Sequence, residues 1–302
     1  MLRINYFIQF CLLRIQSRSN KTKGNIKIAL EQALKAKESI LKNGENETDK
    51  TLAAFNELAL VYIQSDLANL FKDSKQWEKS IETDKENIAK IKLWDETFLS
   101  RIEKTAADKE RYLSSSYNNL SLTLISKKAW NGNAKRDTSI ENFLEKLIFL
   151  NRQTNNLVYL ATNYYNYAVY FEGMKDVSGR KSYLEKALEI NRELENKSGI
   201  LICASEFADV LLDEKKEPQK ALKLATEALT VLRGYPEWGS SGNVYLIYSR
   251  ALSINNRFEE AAMYFDSAQI FWENEMKSTF DKEITEMQTK YETAEKEKEI
   301  KF

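Results

Sequence analysis

Turn-forming residues are scarce in this chain, and that scarcity limits its folds more than any other feature. Nine Gly and two Pro serve 302 residues, where average usage gives roughly 36 of the two together. Sheets and barrels need left-handed or pre-bent positions at every tight turn, yet stretches of thirty residues here contain neither type. Helices joined by short polar turns are the economical alternative. With 43% hydrophobic and 30% charged residues, the composition supports a buried core.

The same inventory excludes whole classes of chemistry. There is no His, which removes histidine-based catalysis and histidine metal sites. The two thiols, Cys11 and Cys203, are too few for a disulfide framework. Cys203 reads as a small core hydrophobe, with no His to activate it. No phosphate-binding glycine motif occurs, Ser114-Ser115-Ser116 reads as small helix-packing residues, and acidic pairs such as Glu259-Glu260 read as solvated surface. No catalytic residue, cofactor site or metal site is therefore expected. Lys plus Arg equals Asp plus Glu at 45 each, so no net positive field attracts nucleic acid. The five Trp residues, 77, 94, 130, 238 and 272, are expected in core or inter-repeat packing.

Residues 1–24 stand apart. Arg3, Arg14, Arg18, Lys21, Lys23 and Lys27 precede the first acid, Glu31. The apolar run Ile4 to Leu13 leaves two readings open: a weak signal or anchor segment, or an amphipathic first helix. It falls short of the roughly 20 apolar residues of a membrane span.

From residue 25 a repeat emerges. Ala29, Ala33 and Ala36 stand 4 and 3 apart, and the stagger recurs as Ile140, Leu144, Leu147; Arg180, Leu184, Ala187; Ala221, Ala225, Ala228; and Ala261, Phe265, Ala268. Each triplet after the first follows a helix with aromatics around one small residue. These partner sets are Tyr117, Leu120, Ser121, Leu124; Tyr164, Tyr167, Ala168, Phe171; Ala204, Phe207, Ala208, Leu211; and Tyr245, Tyr248, Ser249, Leu252, with an equivalent set upstream at Phe55, Leu58, Ala59, Tyr62. A small residue lets two helices approach, and the aromatics fill the groove beside it. Stacked pairs then bury a continuous seam. Between Asn87 and Tyr117 the register is lost, so an extra helix or a degenerate repeat is expected there.

The segment Val244 to Leu252, followed by Asn256 to Ala262 and Phe265 to Ala268, resembles the tetratricopeptide repeat (TPR) family, with a 40-residue step in place of the usual ~34. The resemblance covers about residues 25–274. It implies an all-α, right-handed α-solenoid of five to six helical hairpins that binds a protein or peptide ligand on its concave surface without catalysis. Extrapolating the register places Asn56, Asn118, Tyr165, Asp209, Leu246 and Arg250 on that surface. Asn can hold an extended backbone and Arg250 a carboxylate.

Residues 275–302 form a third segment. Phe280, Ile284, Met287, Tyr291 and Ala294 make a short coiled-coil-like seam, read as a capping helix or a signalling stalk. Lys290-Tyr291-Glu292-Thr293 and Glu295 to Ile300 resemble the linker between TPR arrays and output domains in Bacteroidetes-type sensor histidine kinases and related regulators. That resemblance implies the ligand-sensing part of a bacterial two-component signal-transduction system, with a homodimer through this helix. It also implies a periplasmic or membrane-associated place, the membrane being reached through the N-terminal segment or a downstream domain. The alternative is a free-standing cytoplasmic adaptor; a peptide-gated regulator of the Gram-positive type is the third reading.

Overall fold

The computed structural model describes residues 2–44, 47–131, 135–235 and 241–277. It divides into two units, Met1–Ile190 and Asn191–Phe302, and every element among the described residues is helical. In the first unit the helices are α1 (Leu2–Thr22), α2 (Ile26–Gly44), α3 (Lys50–Asp73), α4 (Trp77–Leu93), α5 (Glu96–Arg101), α6 (Ala106–Trp130), α7 (Thr138–Gln153), α8 (Leu157–Gly173) and α9 (Val177–Glu193), whose last residues belong to the second unit. The second unit adds α10 (Lys197–Glu214), α11 (Pro218–Gly234), α12 (Ser241–Ile254) and α13, helical over residues 258–277. Apart from the short α5, consecutive helices pair as hairpins: α1 with α2, α3 with α4, α6 with α7, α8 with α9, α10 with α11 and α12 with α13.

The hairpins close where the small residues predict. Ala168, Ala208, Ala221, Ala225, Ala228, Ala261 and Ala268 are all buried, so backbones approach with no long side chain between them. A serine hydroxyl repeats the same junction. Ser17 donates to the Ala29 carbonyl at 2.7 Å and Ser249 to the Ala261 carbonyl at 2.7 Å, while Ser80 donates in the reverse sense to Ala68 at 2.8 Å. In all three the partners are twelve residues apart, so hairpins with unlike sequences share one register.

That shared register shifts the second hairpin. Its small first-helix residue is Ala68, not Ala59, and the set that packs is Gln64, Leu67, Ala68 and Phe71. Its second-helix triplet is Ser80, Asp84 and Asn87, each 0% exposed. α3 therefore carries an extra stretch at its N-terminus, which Asp49 caps through the Thr51 and Leu52 amides. The gap in the repeat is filled by α4, by α5, and by the start of α6, which opens with a Thr105–Asp108 capping box. Trp94, Leu99 and Ile102 from this insertion are buried with Val61, Ile91 and Leu113.

The turns explain how the chain manages with so little glycine. Lys75, Lys175, Lys215 and Asn256 take left-handed φ values of 60°, 59°, 56° and 61° between the two helices of their hairpins, a conformation glycine usually supplies. In the α1–α2 turn Gly24 does so, at φ 79°. Residues 2–22 form α1, with Phe10 and Ser17 buried against α2. Among the described residues no helix is long and apolar enough to cross a membrane.

Trp94 is buried, and Trp272 packs over Gly242. Trp130 departs from the packing role: it is 60% exposed, with the Lys75 ammonium 3.7 Å from its ring centroid. Trp238 and the seam from Phe280 to Ala294 lie outside the described residues.

Candidate ligand groove

In the first unit the first helices of successive hairpins enclose a cavity of about 570 Å³. α1 contributes Arg14 and Arg18; α3 contributes Tyr62, Ser65, Asp66 and Asn69; α6 contributes Asp108, Arg111, Tyr112, Ser115 and Asn119; α8 contributes Tyr159. A second cavity of about 380 Å³ shares Arg18, Asp66 and Asn69 with it and adds Lys21. On α1 and α3 the lining positions repeat. Arg14 and Arg18 lie three before and one after the packing residue Ser17, and Ser65 and Asn69 hold the same offsets from Ala68.

Cations outnumber anions along the wall. Asp66 accepts from Arg14 Nε at 2.6 Å and from Arg18 Nε at 3.3 Å, so one carboxylate faces two guanidinium groups. Arg14 also lies 4.8 Å from the Tyr62 ring centroid. Arg111 stands 3.5 Å from Asp108, whose carboxyl is held below its usual range by bonds from the Thr105 amide and hydroxyl. The Tyr62 and Tyr112 hydroxyls are 2.7 Å apart and their rings meet edge to face. Burial, with the Tyr62 bond next, pushes the Tyr112 phenol above its ordinary pKa, so it remains protonated. The wall thus offers guanidinium and hydroxyl donors, amide side chains for an extended backbone, and aromatic faces.

The six residues expected on the concave surface are placed differently from one another. Asn56 lies on the N-terminal extension of α3, 5% exposed, its amide 3.5 Å from where a Cβ on Gly44 would stand. Asn118 on α6 is 6% exposed, and neither side-chain amide atom is hydrogen-bonded among the described residues. Tyr165 is half-buried on α8. In the second unit Asp209 on α10 and Arg250 on α12 are brought together: Arg250 donates to Asp209 and, at 2.6 Å, to Asp213. Leu246 is half-buried on α12. None of the six lines the 570 Å³ cavity.

The lining residues that sequence reasoning missed carried two signals. The acid-free basic run before Glu31 contains Arg14 and Arg18, and registering α3 on Ala68 puts Ser65 and Asn69 at the offsets that Arg14 and Arg18 hold in α1. Cys203 is the core residue expected, 2% exposed, with its thiol pushed up to about 12 by burial. Ser114 and Ser116 are buried helix-packing residues, Ser114 donating to Asn151 at 2.9 Å.

No family model matches the sequence, and no curated protein is similar to it in sequence. Solved structures do resemble it in shape. BtubC (BKLC) from P. vanneervenii superposes with a TM-score of 0.61 at 13% identity, over 81% of this chain and 89% of that one. A Rap protein complexed with Competence and Sporulation Factor gives 0.58 at 14% identity, over 88% and 66%. TPR-like repeats of a putative kinesin light chain from Podosopora anserina give 0.50 at 15% identity, over 71% and 95%. At these identities the likeness concerns fold and not activity: the chain has the fold of TPR-like helical-repeat proteins.

Proposed function

We propose that this protein is a non-catalytic scaffold that binds an extended protein or peptide segment in the groove of its first unit, and that the segment presents carboxylate groups to Arg14, Arg18 and Arg111. The observation that carries this is the excess of guanidinium over carboxylate at Asp66. A ligand carboxylate arriving there meets cations that one aspartate leaves only partly neutralised. Tyr62, Tyr112 and Tyr159 supply apolar area with polar tips. The Rap neighbour, complexed with a factor of its own, supports a ligand-holding use of this fold.

Selection of a displayed 12-residue peptide library on the purified protein tests it. Enriched peptides should be acidic and bear an aromatic residue. Arg18→Glu should weaken them at least about tenfold, or 1.4 kcal/mol, while leaving the melting temperature nearly unchanged, since the Arg18 side chain is 65% exposed. Peptides without acidic bias, or equal binding by the variant, would sink the proposal. Within the first unit Tyr165 remains a candidate for a longer contact path, and alanine there should weaken the same peptides; Arg250, with Asp209, is a separate candidate in the second unit.

Placement in a signal-transduction system rests on the resemblance of residues 290–300 alone. A stalk role requires that deleting residues 278–302 change the oligomeric state; an adaptor is unaffected.

A further inference from the structure

Each first helix after α1 keeps one face buried. The position five residues before the small packing residue reports this directly. It is Ile63 in α3, Ser116 in α6, Asn163 in α8, Cys203 in α10 and Val244 in α12, and none exceeds 3% exposure. Ile63 clusters with Ala29, Ala33 and Ala36 of α2, and Thr123 of α6 meets Ser80 of α4 at 3.0 Å. In α1 the same position is Leu12, 54% exposed, flanked on the same stripe by Ile8 at 50% and Ile15 at 64%.

The last second helix mirrors it. The central triplet residue is Ala33, Asp84, Leu144, Leu184 or Ala225 in the earlier second helices, at most 1% exposed. In α13 it is Phe265, 48% exposed, with Phe258 at 63%. An apolar stripe is thus exposed on α1 and on α13, each at the positions that are buried in the other hairpins.

The two ends also differ in charge. Residues 2–44 carry nine basic residues against two acidic ones, Glu31 and Glu38; residues 258–277 carry Glu259, Glu260, Asp266, Glu273 and Glu275 against Lys277. Opposite charge favours pairing unlike ends and opposes pairing like ends.

We infer that copies of this chain associate end to end, the α13 face of one seated on the α1 face of the next, continuing between molecules the packing of second helix on first helix that builds each unit. Such a contact is heterologous, so each molecule uses two different surfaces.

Sedimentation velocity on the full chain, from about 5 to about 200 µM, tests this. The wild type should show a sedimentation coefficient that rises with concentration. Leu12→Arg and Phe265→Arg should each weaken association at least about tenfold; both side chains are exposed, and Ile15→Arg with Phe258→Arg serve if either variant misfolds. Mixed in equal amounts, the two variants retain one intact pair of faces and should form a dimer and nothing larger. A wild type that stays monomeric, a variant that associates normally, or a mixture that stays monomeric would each overturn the inference.

Discussion

Asp84 occupies the centre of a buried helix triplet, where the other hairpins before the last place Ala or Leu. Its carboxyl is fully buried and accepts no hydrogen bond among the described residues. Burial pushes its pKa from 3.8 to about 8, with Lys72 opposing the shift. The folded chain therefore holds a proton that the unfolded chain releases near pH 4. Between pH 4 and 8 the native state binds more protons than the unfolded state, and stability falls as pH rises. Asp84→Asn should abolish that slope and melt higher than the wild type at pH 8, by an amount on the order of a few kcal/mol. Thermal melts from pH 4 to 9 measure it, and a variant as pH-dependent as the wild type contradicts the assignment. The turns offer a smaller test. Lys175 sits at φ 59°, and Lys175→Gly should stabilise by about 1 kcal/mol by relieving the left-handed conformation, read as a higher denaturation midpoint.

At the scale of the helices, close approach rather than propensity sets the pairing. A Cβ on Gly199 would fall 2.0 Å from Asn191 Oδ1, and one on Gly179 2.5 Å from Phe171 Cδ1. Alanine is the better helix former, yet Gly199→Ala should lower stability by about 1–3 kcal/mol through overpacking, measured by chemical denaturation. The later hairpins were legible because their small residues are alanines in an apolar stripe. In the second hairpin Ser80, Asp84 and Asn87 do the same packing with polar side chains, and periodicity in hydrophobicity cannot register them. The apolar pattern points to Ala59, one small residue among several in α3, and so to Asn56 three residues before it, whereas the packing registers on Ala68. The groove was less legible than the fold, because a binding wall is assembled from offsets on different helices. Arg14 and Arg18 were visible as charge, but their convergence on Asp66 requires α1 and α3 to be side by side.

For the molecule as a whole, function follows from stacking. The groove exists because first helices of neighbouring hairpins in the first unit lie next to one another. The contact between α4 and α6 is the critical joint, since it spans the insertion where the repeat disappears from the sequence. Ser80 and Thr123 hydroxyls lie 3.0 Å apart there, from helices 43 residues apart in sequence. The most direct test is a Ser80→Cys/Thr123→Cys chain with Cys11 and Cys203 replaced by serine and alanine, oxidised at low concentration and mapped by mass spectrometry. Stacking of neighbours predicts a rapid disulfide within one molecule that leaves the helical circular dichroism unchanged. Free thiols, or cross-links only between molecules, would contradict it.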